Sequence, residues 1–142
     1  MAAYFAELAA RFPGGFDAGS QSSQDAALLS APGGAFVVAL TEAEAVACGG
    51  VQTRSQGSGP GAVAYAEIKR MWVHPRWRGA GLGRRLLGHL ESIARDLGHQ
   101  VVRLDTHDTL VEAIRMYRRA GYREVERYND NPYARHFFEK QL

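Results

Sequence analysis

Apolar residues recur with helical spacing in two segments of the chain. From Leu82, leucine or isoleucine returns after four, four, three and four residues as far as Leu97, which places these side chains on one face of an α-helix. Gly98 follows, as glycine commonly does where a helix ends. Residues 4–12 carry a second apolar helical face, and the Pro-Gly-Gly run at 13–15 ends it. The pattern predicts helices over 4–12 and from the Gly79 region to Leu97.

A local capping signal predicts a third helix. Thr109 and Glu112 have the spacing of a capping box, in which two side chains satisfy backbone amides at the start of a helix. The predicted helix runs to Ala120, and Gly121 ends it.

Short apolar runs bounded by turn residues predict the strands. They cover residues 36–40, 45–52, 62–73, 101–106, 122–128 and 134–140. The Gly49-Gly50 pair within the second run indicates a bulge or a close backbone approach. Strands and helices alternate in the second half, so we predict one domain over residues 1–142, of the α/β (α+β) class, with helices on the faces of a mixed sheet.

Two stretches lack a regular pattern. Residues 13–35 are rich in Gly, Ser, Gln and Pro, and predict a long, partly helical loop of the kind that often forms a lid or a substrate wall. Residues 54–61 predict a flexible hairpin loop.

Composition narrows the class of protein. Of 142 residues, 46% are hydrophobic and 23% are charged, which excludes a disordered chain, a collagen-like fibre and a coiled coil. No apolar run approaches the ~18 residues of a membrane-spanning helix, and the N-terminus lacks a secretory signal pattern. Cys48 is the single cysteine, which excludes an intramolecular disulfide and favours a reducing, cytoplasmic location. The histidines have no metal-ligand spacing, so we expect no metal.

The charge distribution is more informative than the net charge of +2. That net charge is too small to imply nucleic-acid binding. No acidic residue lies between Glu67 and Glu91, although that stretch holds one lysine and five arginines. A local basic field in a nearly neutral protein favours a compact anionic ligand.

A glycine-rich turn lies inside this basic stretch. Gly79, Gly81 and Gly83 alternate where the third strand leads into the leucine-rich helix. The first amides of a helix lack internal partners and attract anions, and glycines leave room for a phosphate to reach them. The segment contains neither a P-loop nor a dinucleotide-binding fingerprint. A flexible turn with tight helix–sheet packing is the alternative, but three glycines near a helix start favour anion binding, because each costs about 1 kcal/mol inside a helix.

Two motifs give the chain a resemblance to the GNAT superfamily of N-acyltransferases. Residues 76–81, Arg-Trp-Arg-Gly-Ala-Gly, match the family's Gln/Arg-x-x-Gly-x-Gly/Ala pattern for acyl-CoA. Ala113, Tyr117, Gly121 and Tyr122 match its second region, in the family's order and spacing, although Leu110 stands where many members have Asn. Together the resemblance covers roughly residues 36–140.

The resemblance implies a mostly antiparallel sheet and acetyl-CoA as co-substrate. It also implies a bulge in the third strand near Met71–Val73, where the amide of Val73 would face the thioester carbonyl. The cofactor-binding residues expected on this basis are Met71, Trp72, Val73, Arg78, Gly79, Ala80, Gly81, Leu82, Gly83 and Arg84.

Two residues are the candidate catalytic groups for transfer to an amine. Glu67 is the candidate base, because the family often places a carboxylate at this point of the strand; the alternative is an exposed strand glutamate paired with a basic neighbour. Asp105 and Asp108 are reserve candidates. Tyr117 is the candidate acid for the departing thiolate, and its alternative role is that of a core aromatic. Cys48 is expected to be a buried structural thiol.

The expected acceptor is a small amine, such as an amino acid, a polyamine or a xenobiotic, since the short chain offers no second domain to grip a protein. We expect the acceptor site to form from the first helix, the 13–35 loop and the last two strands with their 129–133 turn. Glu124, Glu126, Tyr128, Asp130 and Tyr133 are candidates for recognising the amine. Alternatives are a non-catalytic acyl-CoA-binding module, a nucleic-acid-binding domain, or an enzyme acting on a protein N-terminus or lysine. We expect a monomer or homodimer, with neither nucleic acid nor a membrane as partner.

Overall fold

The structure is a computed structural model that describes residues 1–17 and 26–142. Its strands form one six-stranded sheet in the order β1-β2-β3-β4-β6-β5. The strands are β1 (Gly34–Leu40), β2 (Ala45–Gln56), β3 (Val63–Val73), β4 (Val101–Thr106), β5 (Arg123–Glu124) and β6 (His136–Gln141). The helices named here are α1 (Ala2–Arg11), α2 (Leu82–Asp96) and α3 (Val111–Arg119), with 3₁₀ turns at Gly59–Gly61 and Pro75–Trp77.

One parallel pair interrupts an otherwise antiparallel sheet. β3 and β4 run parallel, with α2 as the crossover between them, and pair only over 66–68 and 102–104. Neighbouring pairs β1–β2, β2–β3, β4–β6 and β5–β6 are antiparallel. Since β3 continues to Val73 and β4 to Thr106, the two strands diverge beyond their short ladder and leave an opening in the sheet.

The main core lies on the face of the sheet that α2 and α3 cover. The leucine stripe of α2 supplies Leu86, Leu87 and Leu90, all buried. They pack with the inward side chains of the central strands and of α3, which include Val51, Ile68, Val102, Leu104, Ile114, Tyr117 and Phe138. Burying each of the leucine, isoleucine and valine side chains contributes about 1.5–3 kcal/mol of hydrophobic free energy. This packing fixes the central strands and therefore the opening between β3 and β4.

The α/β class predicted from the sequence and the mostly antiparallel sheet implied by the resemblance are confirmed, with local differences at the ends of several elements. β2 extends to Gln56, into the segment predicted as a flexible loop. The strand predicted over 122–128 is limited to Arg123–Glu124, and beyond it Tyr128 packs edge-on against Tyr65 and Phe137. The last strand begins at His136 rather than Ala134.

The capping box predicted at the start of α3 is wrong. Leu110 occupies the N-cap position and its side chain makes no capping hydrogen bond. The Glu112 carboxylate instead bonds Arg11 of α1, and Thr109 pairs with the ring of His107. Glu112 is thus used in a tertiary contact and Thr109 in a local turn, and neither caps the helix.

No helix in the described part of the chain has the length and apolar character to cross a membrane.

Candidate functional site

A cavity of about 480 Å³ occupies the opening between β3 and β4. Residues 68–73 of β3 and 104–107 at the end of β4 form its sides. Helix α1 lies across one face, α3 closes the other, and the turn between β3 and α2 forms one end. The cavity therefore joins the segments that carry both sequence motifs.

The turn before α2 presents main-chain amides toward this cavity. Gly79 and Gly81 have left-handed φ angles of +83° and +79°, and a Cβ at either position would meet nothing within 4 Å. Gly81 caps α2, and the first helical hydrogen bond runs from the amide of Arg85 to its carbonyl. The amides of residues 82–84 therefore have no partner within the helix and can bind an anion.

Gly83 serves packing rather than turn geometry. A Cβ there would lie 3.1 Å from Sδ of Met116 and 3.6 Å from a methyl group of Val73. Both roles considered from the sequence, anion access and tight packing, therefore occur within the same turn, at different glycines.

Two arginines of the turn, Arg84 and Arg78, also have different roles. Arg84 lines the cavity beside the free amides. The guanidinium of Arg78 donates from Nε to the carbonyl of Val73 at 2.9 Å and from Nη2 to the carboxylate of Glu7. Arg78 thus ties the end of β3 to α1. Open backbone donors, absent Cβ atoms and an adjacent arginine fit the diphosphate of coenzyme A.

The bulge expected in β3 is present, at Arg70 and Met71. Cys48 pairs with Trp72 but Gly50 pairs with Lys69, so Gly49 faces two residues of β3. Arg70 has a φ of +54°, a conformation uncommon outside glycine. The amide of His74 bonds the carbonyl of Val46, and by antiparallel alternation the amide of Val73 points away from β2 into the opening.

Gly49 lets α2 approach the sheet opposite this bulge. A Cβ at Gly49 would lie 2.8 Å from a methyl carbon of Leu90. At Gly50 it would lie 2.6 Å from a methyl carbon of Leu29 on the other face. The glycine pair therefore marks both a bulge and a close approach.

Tyr117 lies in the cavity wall with its ring in the core. Its ring centroid is 5.9 Å from that of Phe138 and 6.0 Å from that of Tyr122. Burial, and next the negative charge of Asp105, raise the pKa of Tyr117. The phenol therefore stays protonated at neutral pH, which is the state that a proton donor requires.

Glu67 occupies a different place from the one its predicted role requires. It is 2% exposed and is absent from the described residues that line the cavity. Gln52 Nε2 donates to its carboxylate at 2.7 Å and Asn129 Nδ2 at 3.1 Å, while Lys69 Nζ lies 3.3 Å away. Its assignment as the base stays a prediction, which this enclosure does not favour.

Asp105, a reserve candidate, lines the cavity. Lys69 Nζ donates to its Oδ2 at 3.0 Å, and Asn131 Nδ2 to its Oδ1 at 2.9 Å. Burial acts to lower the pKa of Lys69, but the carboxylates of Asp105 and Glu67 outweigh it and raise that pKa. Lys69 and Asp105 therefore form a charged pair in the cavity wall. Asp108, the other reserve candidate, points to solvent beside His107.

Charged side chains hold α1 over the opening. Glu7 accepts hydrogen bonds from Trp72 Nε1 at 2.8 Å, from Arg11 at 3.2 Å and from Arg78. Arg11 also bonds Glu112 of α3. Partial burial opposes the shift, but the bonds from Arg78 and Trp72 lower the pKa of Glu7. α1 is thereby fixed to both walls of the cavity.

The cavity gathers most, though not all, of the residues named from the sequence. Of the expected cofactor-binding set, Ala80 and Leu82 do not line it within the described part of the chain, and the other eight do. Among the amine-recognition candidates, Tyr133 lines it, whereas Glu124 bonds His136 and Arg118 at the surface. Of the 13–35 loop, Phe16 lines the cavity and residues 18–25 lie outside the described residues.

Sequence analysis missed the residues that join distant segments. Glu7 and Arg11 are spaced as an ordinary surface ion pair on a helix, and nothing local connects them to Arg78 or Glu112. Asn129 and Asn131 are visible only as turn residues. The apolar face of α1 indicates that its aromatic rings are buried. It does not indicate whether they fill a core or line a cavity.

Comparison with known proteins finds similarity to acetyltransferases. The sequence profile of the Acetyltransferase (GNAT) family matches residues 1–122. An IAA acetyltransferase from Azospirillum brasilense is 34% identical over 107 residues, which are 75% of this chain and 66% of that protein. An aminoglycoside N(6')-acetyltransferase type 1 from Stenotrophomonas maltophilia is 30% identical over 103 residues, 70% of this chain and 66% of that protein. The chain thus spans about two thirds of the length of these curated relatives.

A solved structure supports the fold over almost the whole chain. The crystal structure of an acetyltransferase from Streptococcus agalactiae superposes with a TM-score of 0.77 and 20% identity, covering 99% of this chain and 90% of that one. The family profile matches most of the chain, the glycine turn is open to an anion, and a bulged strand lies beside the opening in the sheet. On these grounds, this chain belongs to the GNAT family of acetyltransferases.

Proposed function

We propose that the protein transfers an acetyl group from acetyl-CoA directly to the primary amine of a small molecule. The proposal is supported above all by one feature: three groups meet at the same cavity. They are the open amides of residues 82–84, the free amide of Val73 and the phenol ring of Tyr117. The two relatives, one named for IAA and one for an aminoglycoside, support a small-molecule acceptor.

Acetyl-CoA would supply a thioester, whose C–S bond is exchanged for the C–N bond of an amide. The amides of residues 82–84, with Arg84, would hold its diphosphate, and Gly79 and Gly81 leave the space for it. The amide of Val73 would donate a hydrogen bond to the thioester carbonyl oxygen and polarise it.

The protons need a donor and an acceptor within the chain. Tyr117, whose raised pKa keeps the phenol neutral, would donate a proton to the sulfur as the C–S bond breaks. The second proton that the nitrogen loses as the amide forms would return to the Tyr117 oxygen and restore the phenol. An alkylammonium has a pKa of ~10.4 and must lose a proton before it attacks. We assign the acceptor of that proton to Asp105, directly or through water, because its carboxylate lines the cavity and that of Glu67 does not.

The test is to incubate the protein with acetyl-CoA and a panel of primary amines, following release of free thiol and the mass of the acetylated product. We expect stoichiometric thiol and N-acetyl product with at least one amine. Tight binding of coenzyme A without turnover of any amine would contradict transfer and favour a non-catalytic acyl-CoA-binding module. Turnover of protein N-termini or lysines alone would contradict the small-molecule acceptor.

A further inference from the structure

The cavity has a wall of aromatic rings at the end away from the glycine turn. Phe5, Phe12, Phe16 and Tyr133 all line it, and they come from α1, the segment after it and the 129–133 turn. Phe16 stacks on Phe5 with centroids 5.8 Å apart and lies 4.9 Å from Tyr133. Phe12 lies 5.7 Å from Tyr133.

The wall continues onto the end of β4. Phe12 stacks on the ring of His107 with a centroid distance of 4.2 Å. Phe12 is 8% exposed, so it anchors the cluster, whereas Phe16 and Tyr133 are only partly buried. The accessible ring faces of Phe16 and Tyr133 offer apolar and stacking contact to a molecule in the cavity.

The carboxylates of the cavity are already engaged. Among the described residues that line it, these are Glu7, Asp105 and Glu112. Glu7 bonds Arg78 and Arg11, Glu112 bonds Arg11, and Asp105 bonds Lys69. None of the three therefore adds surplus negative charge.

The balance of charge around the cavity is positive. In the described part of the chain, six lysine and arginine side chains line it, against three carboxylates. Arg84 flanks the glycine turn, where phosphates would offset it, and the carboxylates among the described lining residues are all paired with basic side chains. A ligand with several positive charges would lose hydration there and gain no free carboxylate.

From the ring wall and the paired carboxylates we infer that the acceptor is a monoamine whose amino group is attached to an aromatic ring system through a short alkyl chain. This inference rests on the proposed function and narrows its substrate class. The ring packs against Phe16 and Tyr133, and the amino group extends toward Asp105 and the opening between β3 and β4. Polyamines and aminoglycosides, which carry several ammonium groups, fit this site poorly.

The test compares kcat/KM for five acceptors with acetyl-CoA at saturation. Phenethylamine and tryptamine carry one amine and a ring, butylamine carries one amine and no ring, and spermidine and kanamycin are polycations tested as one group. We expect the ring-bearing amines to exceed butylamine and the polycations by about tenfold or more. Spermidine, kanamycin or butylamine as the best acceptor would overturn the inference while leaving acetyl transfer intact.

A matched pair of variants locates the effect. Phe16→Leu should lower kcat/KM for phenethylamine by about threefold to tenfold, from loss of ring contact, and change that for butylamine less than twofold. Phe36→Leu alters a phenylalanine on β1 that does not line the cavity in the described part of the chain, and should leave both values unchanged. Equal losses on phenethylamine and butylamine in Phe16→Leu would overturn the ring contact.

Binding separates failure of this inference from failure of the proposed function. If no amine is acetylated, transfer itself is contradicted, and calorimetry on the coenzyme A-loaded protein then compares phenethylamine with spermidine. Tighter binding of phenethylamine supports the aromatic site, and tighter binding of spermidine overturns it.

Discussion

The two ends of the cavity are built in different ways. At the glycine turn the functional atoms are main-chain amides, positioned by the bulge at Arg70 and by the left-handed residues Gly79 and Gly81 within one short stretch. At the aromatic end they are side chains from α1, β4 and the 129–133 turn, which meet only in the folded chain. The glycine turn depends on backbone geometry that relatives can share despite sequence differences. The lining of the aromatic end can change with a single side-chain substitution. We therefore attribute the family's chemistry to the turn and the choice of acceptor to the rings.

The largest expected effect falls where the two ends meet, at Tyr117. Tyr117→Phe removes the hydroxyl and should lower kcat by about 10²–10⁴-fold, the usual contribution of a positioned acid, while the Kd for coenzyme A changes little. Tyr122→Phe is the control, because its ring packs 6.0 Å from that of Tyr117 outside the described cavity lining. Steady-state kinetics and calorimetry check this, and equal rates in wild type and Tyr117→Phe would reduce Tyr117 to packing.

The next prediction compares the carboxylates of Asp105 and Glu67. Asp105→Asn should lower kcat by about 10²-fold, because it removes the proposed proton acceptor. Glu67→Gln should have the smaller effect, because Glu67 lies behind the cavity wall and its partners Gln52 and Asn129 can rearrange. If Glu67→Gln instead causes the larger loss of kcat in steady-state kinetics, the base is Glu67.

A backbone substitution tests the turn itself. Gly81→Ala forces a Cβ into a φ of +79°, which costs about 1–2 kcal/mol and should weaken coenzyme A binding about tenfold if that strain distorts the bound turn. Gly88→Ala lies in the same helix with nothing within 4 Å of its Cβ, so it should stabilise the fold by up to about 1 kcal/mol and leave binding unchanged. Calorimetric Kd values and thermal unfolding check both, and an unaltered Kd in Gly81→Ala would separate the turn from the ligand.

The smallest effect concerns the docking of α1 over the aromatic end. Hydrogen bonds lower the pKa of Glu7, against partial burial, and the bond from Arg11 lowers that of Glu112. A lowered carboxylate pKa adds stability above the unfolded value of ~4.3, and that stability disappears as pH falls through the folded value. Tm should therefore drop below pH ~4.

Glu7→Gln should remove part of that acid dependence and cost at most about 1 kcal/mol at neutral pH, because the pair is partly exposed. Glu42→Gln, an exposed carboxylate in the β1–β2 turn, is the control and should leave the profile of Tm against pH unchanged. Identical profiles for wild type and Glu7→Gln would mean that these ion pairs do not hold α1.

Local patterns were enough to predict the frame of the fold. The leucine spacing located α2 within a few residues of Leu82–Asp96, and the run Val101–Thr106 was predicted as the strand that the structure has. Both signals are contained in the segment itself, as are the glycines of the turn. The bulge begins at Arg70, one residue before the expected stretch, because its exact position depends on the register with β2, which no local pattern reports.

Long-range contacts account for what could not be predicted. Glu112 looked like half of a capping box, but Arg11, distant in sequence, bonds it instead. Glu67 has the position of a catalytic carboxylate along its strand, yet Gln52 and Asn129 enclose it from two other segments. Whether a side chain lines a cavity or lies behind its wall is decided by such neighbours, which are remote in sequence.

The central claim is that the main-chain nitrogens ahead of Arg85 hold the diphosphate of coenzyme A while its sulfur lies between β3 and β4. The most direct measurement is a crystal structure grown with millimolar coenzyme A. The account predicts phosphate oxygens within hydrogen-bond distance of the amides of residues 82–84 and the sulfur beside Tyr117. Coenzyme A bound elsewhere, with the turn vacant, would contradict it.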